Sequence, residues 1–379
     1  MSTEKKVWTN GTLTYTTAGV VVLFCWLLWG DFAWGLKERA VGFVAGLMVK
    51  SYGISNFWYA ILITAYPCFT NTFLMPAISF WSDRHRGRLG RRIPFLLFTT
   101  PFVVLGLAGL SVTPMLGEWL QGMIGVEKIS LNMCRLIFFA ISWAILDFGT
   151  TLTNAIFIAL ANDVVPTKLI GRFLAMFRMM SLCCAVIFNY WLMGYAETHA
   201  TYIFAGLAVF YGVGLYSLCL KVKEGQYPPP AEDSSKPRNL KDAIKIYFRE
   251  CFTLPYYRWA IIGFVLCRHS VLAVNTYVIF YAKDLGMTMD RFGKLLAMIF
   301  LGAFILSFLW GWLADKFHPI RVGICGIGVL MLVQALGGFF ITDVTTFIIV
   351  YALHETVIMS FNTLTASYPQ RIFPKALFA

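Results

Sequence analysis

Charge is what this sequence has least of. Asp, Glu, Lys and Arg together make up 13% of its 379 residues, about half the share found in soluble globular proteins. With 59% apolar residues and a mean hydropathy of +0.70, the chain has too little polar material to surround a single core. A soluble enzyme, a secreted disulfide scaffold and a disordered chain are therefore excluded. Acidic residues are the scarcer sign, 19 against 31 basic ones, for a formal charge of +12 and a pI near 9.3. The nine cysteines form no CxxC pair and no zinc spacing. Most sit in apolar runs (Cys25, Cys68, Cys183, Cys184, Cys267, Cys325) and read as small packing residues. No HExxH or other metal spacing surrounds the histidines, and no nucleophile–base pattern occurs, so no metal, cofactor or enzyme active site is expected. No small-residue cleavage site follows the polar start MSTEKKVWTNGTLTY, which reads as a retained cytoplasmic segment rather than a signal peptide. Asn10-Gly11-Thr12 fits the glycosylation pattern but would stay unmodified on that side.

What is present is hydrophobic length. A helix needs about 20 apolar residues to cross the hydrocarbon. Ten such runs occur, near 16–36, 56–80, 94–114, 135–160, 173–195, 200–220, 258–282, 293–313, 321–342 and 346–367. Backbone amides in lipid must bond within their own segment, so the runs are predicted helices; the short alternating segments of a β-barrel are absent. With the N-terminus inside, 21 lysines and arginines fall in inner segments and 8 in outer ones, Lys37 and Arg39 among the latter, with Arg178 and Arg268 left in spans. This bias places both ends in the cytoplasm, at a plasma or bacterial inner membrane. It also explains the positive charge without a nucleic-acid partner.

Residues 221–257 form a long polar loop with Pro228-Pro229-Pro230, and within it RNLKDAIKIYFRECF (238–252) alternates basic and apolar positions at helical spacing. An amphipathic helix on the inner membrane face is expected there. The predicted organisation is a six-helix bundle over 1–220, a linker over 221–257 and a second bundle of four helices over 258–379. The two bundles echo each other. A shift of 208 residues carries Asp147 onto Glu355, Asn154 onto Asn362, Pro166 onto Pro374 and Leu169 onto Leu377. Ser82-Asp83-Arg84 is matched by Ala314-Asp315-Lys316. Internal repeats of this kind mark secondary transporters, whose sites lie between the repeats near the midplane. A six-helix second copy would need two more spans, so a truncated or incomplete chain is expected.

The stretch GRLGRRIPF (87–95), preceded by Ser82-Asp83-Arg84, resembles the helix 2–3 loop signature of the major facilitator superfamily. In the fuller form S-D-R-x-x-x-R-x-G-R-R-x-P-F it resembles the glycoside–pentoside–hexuronide:cation symporters and the sucrose–proton symporters. Ile145-Leu146-Asp147 followed by Ala159-Leu160-Ala161-Asn162-Asp163 is similar to the sucrose-transporter pattern of an intramembrane Asp and an Asp at the cytoplasmic end of the helix. The resemblance implies an all-α membrane fold of two pseudo-symmetric bundles, about ten of twelve helices being present, with helices 1, 4, 7 and 10 lining the path. The sequence departs from the sodium-coupled members, because residues 56–81 contain no carboxylate. A proton, or no coupling at all, is implied instead. The second loop, ADKFHPIR (314–321), lacks the RxGRR tail.

A charge at the bilayer centre costs about 2.5–3.5 kcal/mol on insertion scales, so each buried charge calls for a reason. Asp147 is the predicted proton-coupling site, since a desolvated carboxyl can hold a proton and one beside an Arg stays ionised; Arg178 is its expected partner. A static Asp147–Arg178 pair that only joins helices is the alternative. Asp31 between Trp29 and Trp34 offers a hydroxyl acceptor and flat apolar faces for a sugar, or else belongs to an interfacial aromatic belt. Asn154, Asn362, Arg268, His269 and Glu355 complete the expected substrate-binding set, with an Arg268–Glu355 pair as a guess and helix bridging by Asn as the plainer role. Asp83, Arg84, Gly90, Arg91, Arg92, Asp163, Arg172, Asp315 and Lys316 are expected to form an inner gate whose pairs bias a two-state equilibrium. The expected function is secondary active transport of a sugar or glycoside, coupled to protons, by alternating access. The same fold carrying a drug, peptide or organic anion, and a non-transporting membrane protein or fragment, are the alternatives. The expected partners are a small-molecule substrate, a proton and membrane lipid, with no oligomer required.

Overall fold

The computed structural model describes residues 7–226, 242, 245, 249, 253–317 and 319–365; at 264, 268, 273, 307, 308, 311, 314, 315, 319, 320, 360 and 362–365 it describes the backbone alone. The expected amphipathic segment 238–252 lies mostly outside the described residues. A hairpin opens the chain: β1 (Val7–Asn10) pairs antiparallel with β2 (Leu13–Thr16), Val7 opposite Thr16 and Asn10 opposite Leu13. Gly11 takes φ +56° in its turn, the positive φ that short hairpin turns require.

Ten helices follow among the described residues, and each predicted run falls on one. They are α1 (Thr17–Ser51), α2 (Asn56–Arg84), α3 (Ile93–Ile124), α4 (Leu131–Val164), α5 (Thr167–Tyr195), α6 (Ala200–Lys221), α7 (Pro255–Asp284), α8 (Met289–Phe317), α9 (Pro319–Phe340) and α10 (Val344–Thr365). Eight of the described helices are long and apolar enough to cross a membrane, and α10 adds a shorter apolar stretch, Val344–Met359. Side-chain oxygens start several of them. Thr16, Ser55 and Ser130 accept from the backbone N–H three residues on, as N-caps do. A π turn at Ile61–Ala65 interrupts α2, and another at Phe188–Leu192 loosens the end of α5.

α1 corrects one expectation. Its 35 residues make a helix about 50 Å long at 1.5 Å per residue. It runs through Lys37 and Arg39 instead of ending at 36, so these two are helix residues and not outer-loop charges. A hydropathy run stops at the first charges, but a charge that finds its partner need not end a helix.

The described residues divide into two units. Those up to Cys184 and from Ala196 to Arg258 form the first; Ala185–Tyr195 and those from Trp259 onward form the second. In the first, glycines let backbones approach. A Cβ on Gly106 would stand 2.6 Å from the Leu146 backbone, and one on Gly149 would stand 2.8 Å from that of Val103, so α3 and α4 are in near contact along their length. Gly30 lies under Leu218 and Gly214 against Ala33, which seats α6 on α1. Small residues at helix crossings are the usual device where lipid supplies no hydrophobic drive. In the second unit Val271, Leu330 and Ile358 from α7, α9 and α10 form one apolar cluster, and Phe292, Phe347 and Tyr351 stack between α8 and α10. Leu105, Val209, Leu220, Met298 and Phe339 are exposed. These apolar faces suit lipid, and the chain is an integral, multi-pass membrane protein.

Candidate functional site

Within the first unit α1 and α4 share a polar seam. Asp147, Thr150 and Asn154 stand at i, i+3 and i+7 and so occupy one face of α4. Trp34 and Lys37 stand one turn apart on α1. The Trp34 indole N–H donates to Asn154 Oδ1 at 2.5 Å; its ring lies near-parallel to Phe157, centroids 6.2 Å apart. Lys37 Nζ donates to Glu38 Oε1 at 2.5 Å and to Thr150 Oγ1 at 3.3 Å, and it sits 5.6 Å from the centre of the Tyr211 ring of α6. Lys37 is only 1% exposed. A lone ammonium there would be several kcal/mol unfavourable; a neighbouring carboxylate, a hydroxyl and an aromatic face together make it tenable. Around the helix, Arg39 donates to Ser181 of α5 at 3.1 Å. Lys37, Glu38, Thr150 and Tyr211 were not expected as site residues. The signal was there, since Lys37-Glu38-Arg39 directly follows an apolar run, but it read as the end of that run.

Asp147 is 9% exposed and accepts a hydrogen bond from the Thr70 hydroxyl of α2. Beside it Thr151 donates to Asn71 Oδ1 at 3.2 Å. Among the described residues no ion pair joins Asp147 to Arg178, which is exposed on α5 and makes other contacts. The charges that bear on Asp147 are those of Lys37 and Glu38. Its one hydrogen-bonding partner among the described residues is Thr70, and the nearest charges lie on α1.

Asp31 and its two tryptophans separate. Five residues turn a helix by about 140° net, so Trp29 points to α6, donating to Ser217 at 3.0 Å and meeting Phe210 edge-on, while Trp34 points to α4. Asp31 is 1% exposed, and among the described residues neither carboxyl oxygen has a hydrogen-bond partner. Of the expected sugar platform, the structure joins Trp34 to Asn154 and leaves Asp31 and Trp29 apart from them.

The loop between α2 and α3 forms a dense ionic cluster. Gly87 and Gly90 exchange backbone hydrogen bonds of 3.4 and 3.2 Å, with Gly90 at φ +102°, a conformation open to glycine. Arg91 then grips Asp163 of α4 with two hydrogen bonds of 2.8 and 2.5 Å. Arg92 reaches Asp163 at 3.1 Å and pairs with Asp83 and Ser82. Glu224, just past α6, accepts from the N–H groups of Arg91, Arg92 and Ile93 at 2.9, 2.8 and 2.6 Å. A carboxylate on the unsatisfied amides at the start of α3 is the arrangement a helix N-terminus favours. Asn10 of the hairpin donates to the carbonyls of Asp163 and Val165. Glu224 and Asn10 were missed, since their roles depend on what folds against them. Arg84 lies over the Phe80 ring at 4.0 Å. Arg172 is exposed and is not part of the cluster.

In the second unit Glu355 is 8% exposed on α10. His354 beside it has Nδ1 3.8 Å from Glu355 Oε1, and its ring stacks on Tyr351. Gln334 of α9 lies 3.3 Å from His354 Nε2 and donates to the Ser270 carbonyl of α7 at 3.2 Å. His269 is exposed, its Nδ1 2.9 Å from the Val265 carbonyl of its own helix. Lys316 lies over the Trp312 ring at 4.9 Å. The side chains of Arg268, Asp315 and Asn362, and so the expected Arg268–Glu355 pair, lie outside the described residues. No cluster of three or more His, Cys, Asp or Glu fit to hold a metal occurs among the described residues.

A family model, the Major Facilitator Superfamily, matches residues 27–378. The chain belongs to that superfamily. This member is thus a transporter and not an enzyme. No curated protein sequence matches it. Among solved structures it is similar to a D-xylose–proton symporter, with 14% identity, a TM-score of 0.66, and 94% of this chain and 84% of that one covered. It is also similar to the inward-open xylose transporter XylE from E. coli (13%, 0.61, 94% and 84%) and to a bacterial homologue of the iron transporter ferroportin (16%, 0.61, 94% and 85%). At such identities these likenesses establish the fold, which sugar, iron and peptide transporters share.

Proposed function

We propose that this superfamily member carries a sugar or glycoside together with a proton by alternating access, with Asp147 as the proton site. The observation that carries the reading is the setting of Asp147: a buried carboxyl whose partner is the Thr70 hydroxyl. A hydroxyl donates to a carboxylate and accepts from a carboxylic acid equally well. The Thr70 hydroxyl therefore serves as a partner for either protonation state. Trp34 of α1 and Asn154, on the same face of α4 as Asp147, are already joined and supply an aromatic face and an amide for a sugar ring. The sugar branch is further supported by the loop signature and by the D-xylose–proton symporter among similar folds.

The Asp83, Arg91, Arg92, Asp163 and Glu224 cluster is the proposed inner gate, facing the cytoplasm with both chain ends under the positive-inside rule. Its pairs hold the ends of α2, α3 and α4 and the segment after α6 together, so conformations that part these ends must break charge-assisted hydrogen bonds. The test is uptake of a panel of labelled monosaccharides and glycosides into proteoliposomes, with and without an inward proton gradient. The expected result is uphill accumulation of a sugar that Asp147→Asn abolishes while exchange persists. Unchanged uphill uptake in that variant would remove Asp147 from the mechanism, and uptake of some other solute only would reject the sugar.

A further inference from the structure

We infer that Lys37 is the counter-charge of the proton site, moving between Glu38 and Asp147 as Asp147 binds and releases its proton. This rests on the proton-coupled reading and deepens it by naming the group that responds to the proton. In the structure the ammonium lies on Glu38 and Thr150 while Asp147 lies on Thr70. That division suits an uncharged Asp147, which needs no cation. Loss of the proton creates a second carboxylate one helical turn from Thr150. Positions three apart on a helix have Cβ atoms about 5–6 Å apart, a span that the four-carbon stem of lysine covers by rotation about its own bonds. Neighbouring groups leave Lys37 this role. Toward Asp147, α2 presents the Thr70 hydroxyl and the Tyr66 phenol. α3 presents apolar Phe102 and Val103 at the adjoining Gly149. Toward Lys37, α6 presents the Tyr211 ring, and α1 itself supplies Glu38. Glu38 is the exposed member, 35% against 1% for Lys37, so departure of the lysine turns an event at a buried carboxyl into a bare carboxylate at the surface of α1.

The probe is the proton alone. The purified chain in lipid is titrated while infrared absorption records the protonated carboxyl band that Asp147→Asn removes. Lys37→Met takes away the cation that favours ionised Asp147, and the band should persist about one pH unit or more further into alkali. Glu38→Gln leaves Lys37 to Asp147 alone, and the midpoint should move about as far toward acid. Lys37→Arg should restore the Lys37→Met midpoint most of the way. Opposite shifts are the signature, because a lysine that only holds helices together would lower the yield of folded protein without moving the midpoint in two directions. If Lys37→Met does not fold, the acid shift in Glu38→Gln decides the matter. Midpoints that stay in place, or move the same way in both variants, would overturn the inference. A titrating band with the two opposite shifts, in a chain whose sugar uptake ignores the proton gradient, would uphold the pair and reject the transport reading instead.

Discussion

Each unit has its own way of covering its inner helices, and the two differ. In the first, α6 fills the groove over α1 and α3, with Leu218 on Gly30, Gly214 on Ala33 and Val104 on Gly212. In the second, the repeat-related helices α7, α9 and α10 surround a cavity of about 350 Å³ lined by Tyr277, Tyr281, Gln334, Phe347, Tyr351 and His354, and no described helix fills it. The buried polar groups differ accordingly. Asp147, Asn154, Thr153 and Lys37 each bond across to another helix or to a neighbouring charge, whereas among the described residues His354 Nδ1 is buried with no hydrogen-bond partner. Where water and lipid both fail to bond a polar group, a covering helix does more than add apolar contact. It fixes which partners the buried groups can reach.

This contrast can be broken by mutation. The largest effect is expected where the first unit ties its helix ends together. Glu224→Ala frees three N–H groups and should destabilise the chain by about 3 kcal/mol, read as thermal unfolding in detergent. Lys316→Ala, in the last turn of α8 in the second unit, should be close to silent; equal losses would refute the asymmetry. Next comes the helix seam. Gly106→Ala meets the Leu146 backbone and should cost about 2 kcal/mol. Gly337→Ala meets a Val350 methyl at 3.0 Å, which a side-chain rotation relieves, and should cost less than about 1 kcal/mol. Thr70→Val removes the partner of Asp147 and should cost about 1 kcal/mol, with a moved pH profile of uptake; an unmoved profile would detach Thr70 from the proton site.

The smallest effect concerns the start of α4 against that of α10. Ser130 caps α4 with a neutral hydroxyl. Asp343 caps α10, accepting from the Thr346 N–H at 2.8 Å and its hydroxyl at 2.6 Å. The Thr346 hydroxyl, and after it the backbone N–H, hold the Asp343 carboxyl below its ordinary value. A depressed folded value means stability that is fully present above the unfolded value of about 4 and lost as pH falls through the folded one. Asp343→Asn should therefore flatten a slight acid loss of α10 order, seen by hydrogen exchange at its first turn, while Ser130→Ala should leave the acid response unchanged.

Most of the fold was legible because lipid admits few alternatives. Ten apolar runs became ten described helices, and Asp147 and Glu355, which the 208-residue shift lays on one another, are both buried at mid-helix. The loop cluster was legible in part, since Asp83, Arg91 and Arg92 stand near each other in a strong motif and Asp163 ends a second one. Other features depend on contacts between distant segments. Lys37 reads as a loop residue until Thr150 and Tyr211 are folded onto it. Glu224 reads as linker until the amides of α3 meet it. The hairpin at Asn10-Gly11 was hidden by the apolar run behind it, although a glycine in a short turn between β-prone residues was a usable signal. Asp31, Trp29 and Trp34 failed as a group for a simple geometric reason: closeness in sequence is not closeness around a helix.

The central claim is that solute and proton cross together through Asp147. The most direct measurement is the external pH of a lightly buffered suspension of proteoliposomes when the transported sugar is added with no gradient imposed. The account predicts alkalinisation as protons enter with the sugar, and none with Asp147→Asn under the same sugar load. Sugar entry without alkalinisation, or alkalinisation that survives in Asp147→Asn, would contradict it.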